Sequence, residues 1–149
     1  MLKREITYED FNGNEVTESF YFNLTKSELI QMESEFKGGM ESLLQKIVDT
    51  QDKQTLVALF KDIILRSYGQ KSDDGKRFIK NDALREEFMQ TPAYDVLFFE
   101  LATDAEKGAA FVTGILPKNF DADMAKLAER AKVQNPQFPA PNVISTPSI

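Results

Sequence analysis

Apolar and polar residues alternate at the start of the chain. Leu2, Arg4, Ile6 and Tyr8 fall on one face of an extended segment, and Lys3, Glu5 and Thr7 on the other. The alternation returns from Val16 to Leu24, with Val16, Phe20, Phe22 and Leu24 on one side and Glu18 interrupting it. Between them, Asn12-Gly13-Asn14 supplies residues that tolerate the positive φ of a tight turn. The pattern predicts a β-hairpin over residues 2–24. A two-stranded hairpin is marginal in water, so its apolar face must pack on helices or on another copy.

The period then lengthens to that of a helix. Thr25-Lys26-Ser27-Glu28 is a capping box, a hydroxyl at the N-cap and a carboxylate three residues on. Leu29, Met32 and Phe36 follow at helical spacing, and Gly38-Gly39 ends or kinks that helix. Met40, Leu43, Leu44, Ile47 and Val48 form the next stripe. Leu56, Leu59, Phe60, Ile63 and Ile64 continue it with the strongest helical period of the chain, and Gly69 stops it. Gln70 to Asn81 reads as a charged loop, with a turn at Asp73-Asp74-Gly75 and a short extended piece at Arg77-Phe78-Ile79-Lys80.

Asp82 is placed to cap a helix bearing Leu84 and Phe88. Thr91-Pro92 starts another, with proline at the first helical position, where its missing N–H is harmless. Tyr94, Leu97, Phe98 and Leu101 are its stripe. Thr103-Asp104-Ala105-Glu106 reads as a second capping box, leading to Ala109, Val112 and Ile115, and Pro117 closes that helix. Asp121 to Lys132 holds a thin stripe of Met124, Leu127 and Ala128; Val133 to Ile149 carries four prolines and no period. The expected class is α+β: mainly α, a compact helical bundle packed on a small N-terminal β-hairpin. One folded domain is expected over 1–132, with helices from 25 to 132 and a Pro-rich flexible tail over 133–149.

Composition narrows the chemistry. Of 149 residues, 42% are hydrophobic, and twelve Phe with no Trp make the expected core Phe-rich. The net charge of −6 disfavours contact with phosphate backbones, so no nucleic-acid partner is expected. Absence of Cys excludes disulfides and thiolate metal sites; absence of His removes the commonest general base and metal ligand. The N-terminus lacks the apolar run of a signal peptide, and no stretch approaches the ~20 apolar residues of a membrane span. No membrane partner and a cytoplasmic location follow as expectations.

Several clusters invite a chemical reading. Asp73-Asp74-Gly75 superficially suggests a calcium loop, but the alternating oxygen ligands and the glutamate at the twelfth position are missing, so a turn is favoured. Glu86-Glu87 and Asp121/Asp123 could serve as acid–base pairs, yet they fall on exposed helix positions or helix starts, where carboxylates are favoured by the macrodipole. No enzyme, cofactor or metal site is expected. Lys71, Lys76, Arg77 and Lys80 interleave with Tyr68 and Phe78; the run is either a solvated loop or a contact for an acidic partner. Phe98 and Phe99 point about 100° apart on a helix. Burial of both is the expectation, and an exposed Phe99 would mark a contact surface. The candidate partner-binding residues are therefore Lys71, Lys76, Arg77, Phe78, Lys80 and Phe99.

The run from Ser67 to Pro117 resembles the tail assembly chaperones of long-tailed (siphovirus-type) bacteriophages of Gram-positive hosts. The likeness rests on Tyr68-Gly69, Lys71-Ser72, Asp74-Gly75-Lys76-Arg77-Phe78-Ile79-Lys80, Glu87-Phe88, Thr91, Ala93-Tyr94, Leu97-Phe98 and Glu100-Leu101, and extends over Lys3 to Pro117. It implies a non-enzymatic protein that binds and solubilises the tape measure protein in the host cytoplasm, helps recruit the tail tube protein that displaces it, and is absent from the mature virion. It implies self-association, for which the hairpin edge is a candidate contact. The competing reading is a structural tail adaptor retained in the virion. Deleting Val133–Ile149 is expected to change stability by less than about 0.5 kcal/mol, as read from denaturant unfolding of the shortened chain.

Overall fold

The structure, a computed structural model, describes residues 1–35, 45 and 53–118. Strands β1 (Leu2–Glu9) and β2 (Glu15–Phe22) pair antiparallel along their whole length, from Leu2 opposite Phe22 to Glu9 opposite Glu15. The predicted alternation is realised in β1: Ile6 is buried and Leu2, Arg4 and Tyr8 are half-buried, while Lys3, Glu5, Thr7 and Glu9 are exposed. At the turn the Asp10 carboxylate accepts from the Asn12 and Asn14 N–H groups, both at 2.9 Å, and Gly13 takes φ 85°. Glu18, which interrupts the apolar face of β2, accepts a hydrogen bond from the Tyr8 hydroxyl. That bond pushes the Tyr8 pKa up to about 12.

The capping box at the first helix forms as read. The Thr25 N–H donates to Glu28 at 2.9 Å and the Glu28 N–H to the Thr25 hydroxyl at 3.2 Å, opening α1 (Lys26–Glu35). Leu29 and Met32 are buried. Phe36, Gly38-Gly39, the stripe from Met40 to Val48, the helix expected over 121–132 and the tail over 133–149 lie outside the described residues. Helix α2 (Lys53–Ser67) buries Phe60, Ile63 and Ile64 as its period predicts. It ends two residues before Gly69. The buried Ser67 hydroxyl bonds back to the Ile63 carbonyl at 2.8 Å, and the chain turns directly into a strand.

That strand corrects part of the predicted loop. Tyr68–Lys71 is β3, pairing with β2 at Tyr21–Gly69 and Phe22–Tyr68. The extended piece predicted near Phe78 is β4 (Phe78–Ile79), paired with β3. The hairpin thus grows into a four-stranded antiparallel sheet of order β1-β2-β3-β4. β3 is four residues long with a distant partner, so no alternation announces it.

Helices α3 (Asp82–Met89), α4 (Pro92–Thr103) and α5 (Ala105–Ile115) follow. Two caps sit one residue from their predicted places. Asn81, not Asp82, accepts from the Leu84 N–H at 2.8 Å. Asp104, not Thr103, accepts from the Glu106 and Lys107 N–H groups, while the Thr103 hydroxyl bonds back to the Phe99 carbonyl within α4. Thr91 and Pro92 open α4 as predicted.

Sheet and helices meet in an aromatic cluster within the compact unit Met1–Pro117. The Phe88 ring stacks on Tyr68, centroids 4.2 Å apart and 10° from parallel. Phe20, Phe22 and Tyr94 contact the same ring at 5.2, 5.9 and 5.6 Å, and Phe111 meets Phe22 edge-on. Phe88 is 2% exposed, so its truncation leaves a cavity among rings that belong to several elements. Phe88→Ala is expected to cost about 3–5 kcal/mol in denaturant unfolding. Ile63→Asp, which buries an unpaired charge, is expected to unfold the domain, read as loss of cooperative thermal melting.

Candidate partner-binding surface

The β3–β4 connection is a hydrogen-bonded turn. The Ser72 N–H donates to the Arg77 carbonyl at 2.9 Å, and the Gly75 N–H to the Ser72 carbonyl at 2.9 Å. Gly75 takes φ 71°, in the left-handed region that favours glycine. The Asp74 carboxylate accepts from the Lys76 N–H at 3.0 Å and the Ser72 hydroxyl at 2.7 Å, and these bonds hold its pKa below the ordinary aspartate value. The Ser72 hydroxyl also accepts from the Arg77 N–H at 3.0 Å. Asp73-Asp74-Gly75 is therefore a turn whose central carboxylate organises its own backbone.

The turn holds Lys76 and Arg77 outward. Both are exposed, and neither side chain forms an ion pair among the described residues. Lys71 is exposed too, its ammonium 4.4 Å from the centre of the Tyr21 ring. Phe78 lies half-exposed across Gly69. A Cβ at Gly69 would stand 2.6 Å from the Phe78 ring and 2.9 Å from the Ile79 carbonyl, so only glycine admits the ring there. Tyr21, Gly69, Lys71 and Phe78 share the sheet face turned away from the aromatic core, by the registers of β2, β3 and β4. This aromatic and cationic surface adjoins the exposed Lys76 and Arg77.

Lys80 points elsewhere. Its side chain is 11% exposed, and its ammonium donates to the Asn23 carbonyl at 2.7 Å and to both Glu28 oxygens at 2.8 and 2.9 Å. It ties β4 to the start of α1. Burial lowers the Lys80 pKa despite the opposing pull of Glu28. Burial alone would raise the Glu28 pKa, but the bonds from Lys80 and Thr25 hold it below the ordinary glutamate value.

The expectation that both neighbouring phenylalanines are buried is not met: Phe99 is 67% exposed and Phe98 is only half-buried. Phe99 is on α4, which packs on β1, whereas Lys71, Lys76, Arg77 and Phe78 belong to β3, β4 and their turn, toward the opposite edge of the sheet. The six sequence-selected residues do not make one patch. Sequence reasoning missed Tyr21, although its place out of phase with Phe20 and Phe22 puts it on the outer face.

Among the described residues, no group of three or more His, Cys, Asp or Glu side chains is placed to hold a metal ion, and no helix is long and apolar enough to cross a membrane. A family model described as phage tail assembly chaperone matches residues 1–146, extending past the Lys3–Pro117 stretch on which the sequence resemblance rests. No curated protein and no solved structure matches the chain.

The Glu28–Lys80 pair predicts a pH dependence. The folded pKa of Glu28 is depressed, so its contribution is present above the unfolded value and lost as pH falls through the folded one. Glu28→Gln is expected to melt below the parent at neutral pH. The two melting temperatures should converge as the pH drops below the ordinary glutamate range, which a pH series of thermal melts checks.

Proposed function

The chain belongs to the phage tail assembly chaperone family, and from that membership we propose that it binds the tape measure protein during tail assembly. In this reading it serves a long-tailed phage of a Gram-positive host, works in the host cytoplasm, keeps the apolar helix of its client in solution, and leaves when tail tube protein replaces it. It catalyses no reaction and is absent from the mature virion.

Family membership over residues 1–146 is the observation that carries this reading. The surface at β3 and β4 supports it and gives the client contact a chemistry. In a chain of net charge −6, Lys71 of β3 lies over Tyr21, and Lys76 and Arg77 are exposed on the adjoining turn that its own hydrogen bonds fix. A client helix with acidic residues flanking an apolar stripe would meet cations and aromatic rings together. The turn is already ordered, so binding there need not order the backbone. The overall negative charge argues against nucleic acid as the occupant.

Co-expression with the tape measure protein, followed by size-exclusion chromatography with light scattering, is expected to yield a soluble complex carrying many copies of this chain. Continued precipitation of the client would count against the reading. Near-stoichiometric recovery of the chain from purified virions by mass spectrometry would favour a retained tail adaptor instead. Lys76→Glu with Arg77→Glu is expected to leave stability within about 0.5 kcal/mol of the parent, since both residues are exposed, and to lower client recovery at least tenfold.

A further inference from the structure

The tip of the β1–β2 hairpin carries a covalent chemistry that neither the core nor the β3–β4 surface uses. Asn12 precedes Gly13 there, whereas every other asparagine of the chain precedes a residue with a side chain. When the backbone nitrogen after an asparagine attacks the carboxamide carbon, a succinimide ring closes. A side chain on that next residue crowds the approach; glycine removes the crowding and frees the dihedral angles.

The tip leaves room for this reaction. Asn12 and Gly13 are both exposed, and a Cβ at Gly13 would meet nothing within 4 Å. Among the described residues, no hydrogen bond holds the Asn12 carboxamide. It is free to turn toward the following nitrogen, and water has access to the ring once it closes.

The turn opposes the same reaction. The Gly13 N–H donates to the Asp10 carbonyl at 3.0 Å, so the attacking nitrogen is engaged. The Asp10 carboxylate accepts from the Asn12 and Asn14 N–H groups, both at 2.9 Å, and the Asp10 N–H donates to the Asn14 carbonyl at 2.8 Å. Attack also requires the nitrogen to give up its proton. Glu9, Asp10 and Glu15 surround it in sequence, with no Lys or Arg from residue 5 to 25, and their charge disfavours a further local anion.

We propose that Asn12 is a site of spontaneous deamidation whose rate is set by opening of the turn bond between Gly13 and Asp10. The Gly13 nitrogen loses its proton and bonds to the Asn12 Cγ, and the side-chain nitrogen takes up a proton and leaves as ammonia. Water then cleaves one of the two ring C–N bonds of the succinimide, giving aspartate by one cut and isoaspartate by the other. Either product adds a negative charge beside Glu9 and Glu15, which stand opposite one another in the ladder. Isoaspartate also inserts a methylene into the backbone between residues 12 and 13, inside the loop that Asp10 closes. The reaction therefore loosens the turn end of the hairpin. It involves no residue of the β3–β4 surface, so this inference and the client-binding proposal can fail separately.

Trypsin cuts after Arg4 and Lys26, so Asn12, Asn14 and Asn23 leave in one peptide and the last two serve as internal references. The folded full-length chain is aged at mildly alkaline pH, digested briefly at mildly acidic pH, and read by tandem mass spectrometry. Amide-to-acid conversion at Asn12 is expected to run roughly tenfold or more ahead of Asn14 and Asn23, and to yield two separable products of equal mass. In denaturant, where the turn bond is lost, Asn12 is expected to react roughly tenfold faster than in the folded chain. Asp10→Ala, which removes the carboxylate bonds of the turn, is expected to raise the folded-state rate severalfold. The isoaspartyl fraction is expected to melt below both the parent and Asn12→Asp, which carries the charge without the extra methylene. Equal conversion at Asn12, Asn14 and Asn23 overturns the site. A folded-state rate equal to that in denaturant overturns its control by the turn.

Discussion

The fold turns on the Phe88 ring. It belongs to α3, stacks on Tyr68 of β3, and touches Phe20 and Phe22 of β2 and Tyr94 of α4. One side chain therefore couples a short helix, two strands and a longer helix. Without it, β3 would be held to the sheet by only two paired positions on β2 and two on β4. A two-residue ladder is weak, so stacking supplies what hydrogen bonding there does not. The same contact places the basic turn: β3 and β4 are fixed at their core-facing end by Tyr68, and the turn between them is then aimed outward.

A second constraint acts on the far side of that hairpin. Lys80 reaches past β4 to Glu28 and the Asn23 carbonyl. The desolvation of its ammonium is offset by three acceptors, which is the condition under which a largely buried charge is tolerated. Glu28 meanwhile closes the capping box of α1 through Thr25. One carboxylate thus serves as helix cap and ion-pair partner, and β4 is registered against α1 through it. Of the four cations that looked alike in the sequence, three are exposed and one is structural.

How much of this was legible depends on the range of the interactions. The β1–β2 hairpin, the stripe of α2, the first capping box and the Thr91-Pro92 helix start are local patterns, and each appears where the residues indicate. The caps at Asn81 and Asp104 were misplaced by one residue because Asn81-Asp82 and Thr103-Asp104 each offer adjacent capping side chains, and tertiary packing chooses between them. β3 was missed because its four residues acquire strand character only from partners about 47 positions away on β2, near Tyr21 and Phe22. The inward turn of Lys80 was missed for the same reason: Glu28 is 52 positions distant, and nothing in the basic run distinguishes Lys80 from Lys76. Exposure of Phe99 also depends on tertiary structure, since α4 is flanked by β1, α2, α3 and α5 yet left uncovered on one side.

These constraints divide the molecule's surfaces. Phe88 and Lys80 tie the β3–β4 hairpin to the core and to α1, so its exposed cations stand on an anchored hairpin. At the opposite edge, β1 is held by its full ladder with β2 and by Arg4 on Glu100. The outer-face surface runs from Phe78 of β4 through Lys71 of β3 to Tyr21 of β2, which stands opposite Lys3 of β1.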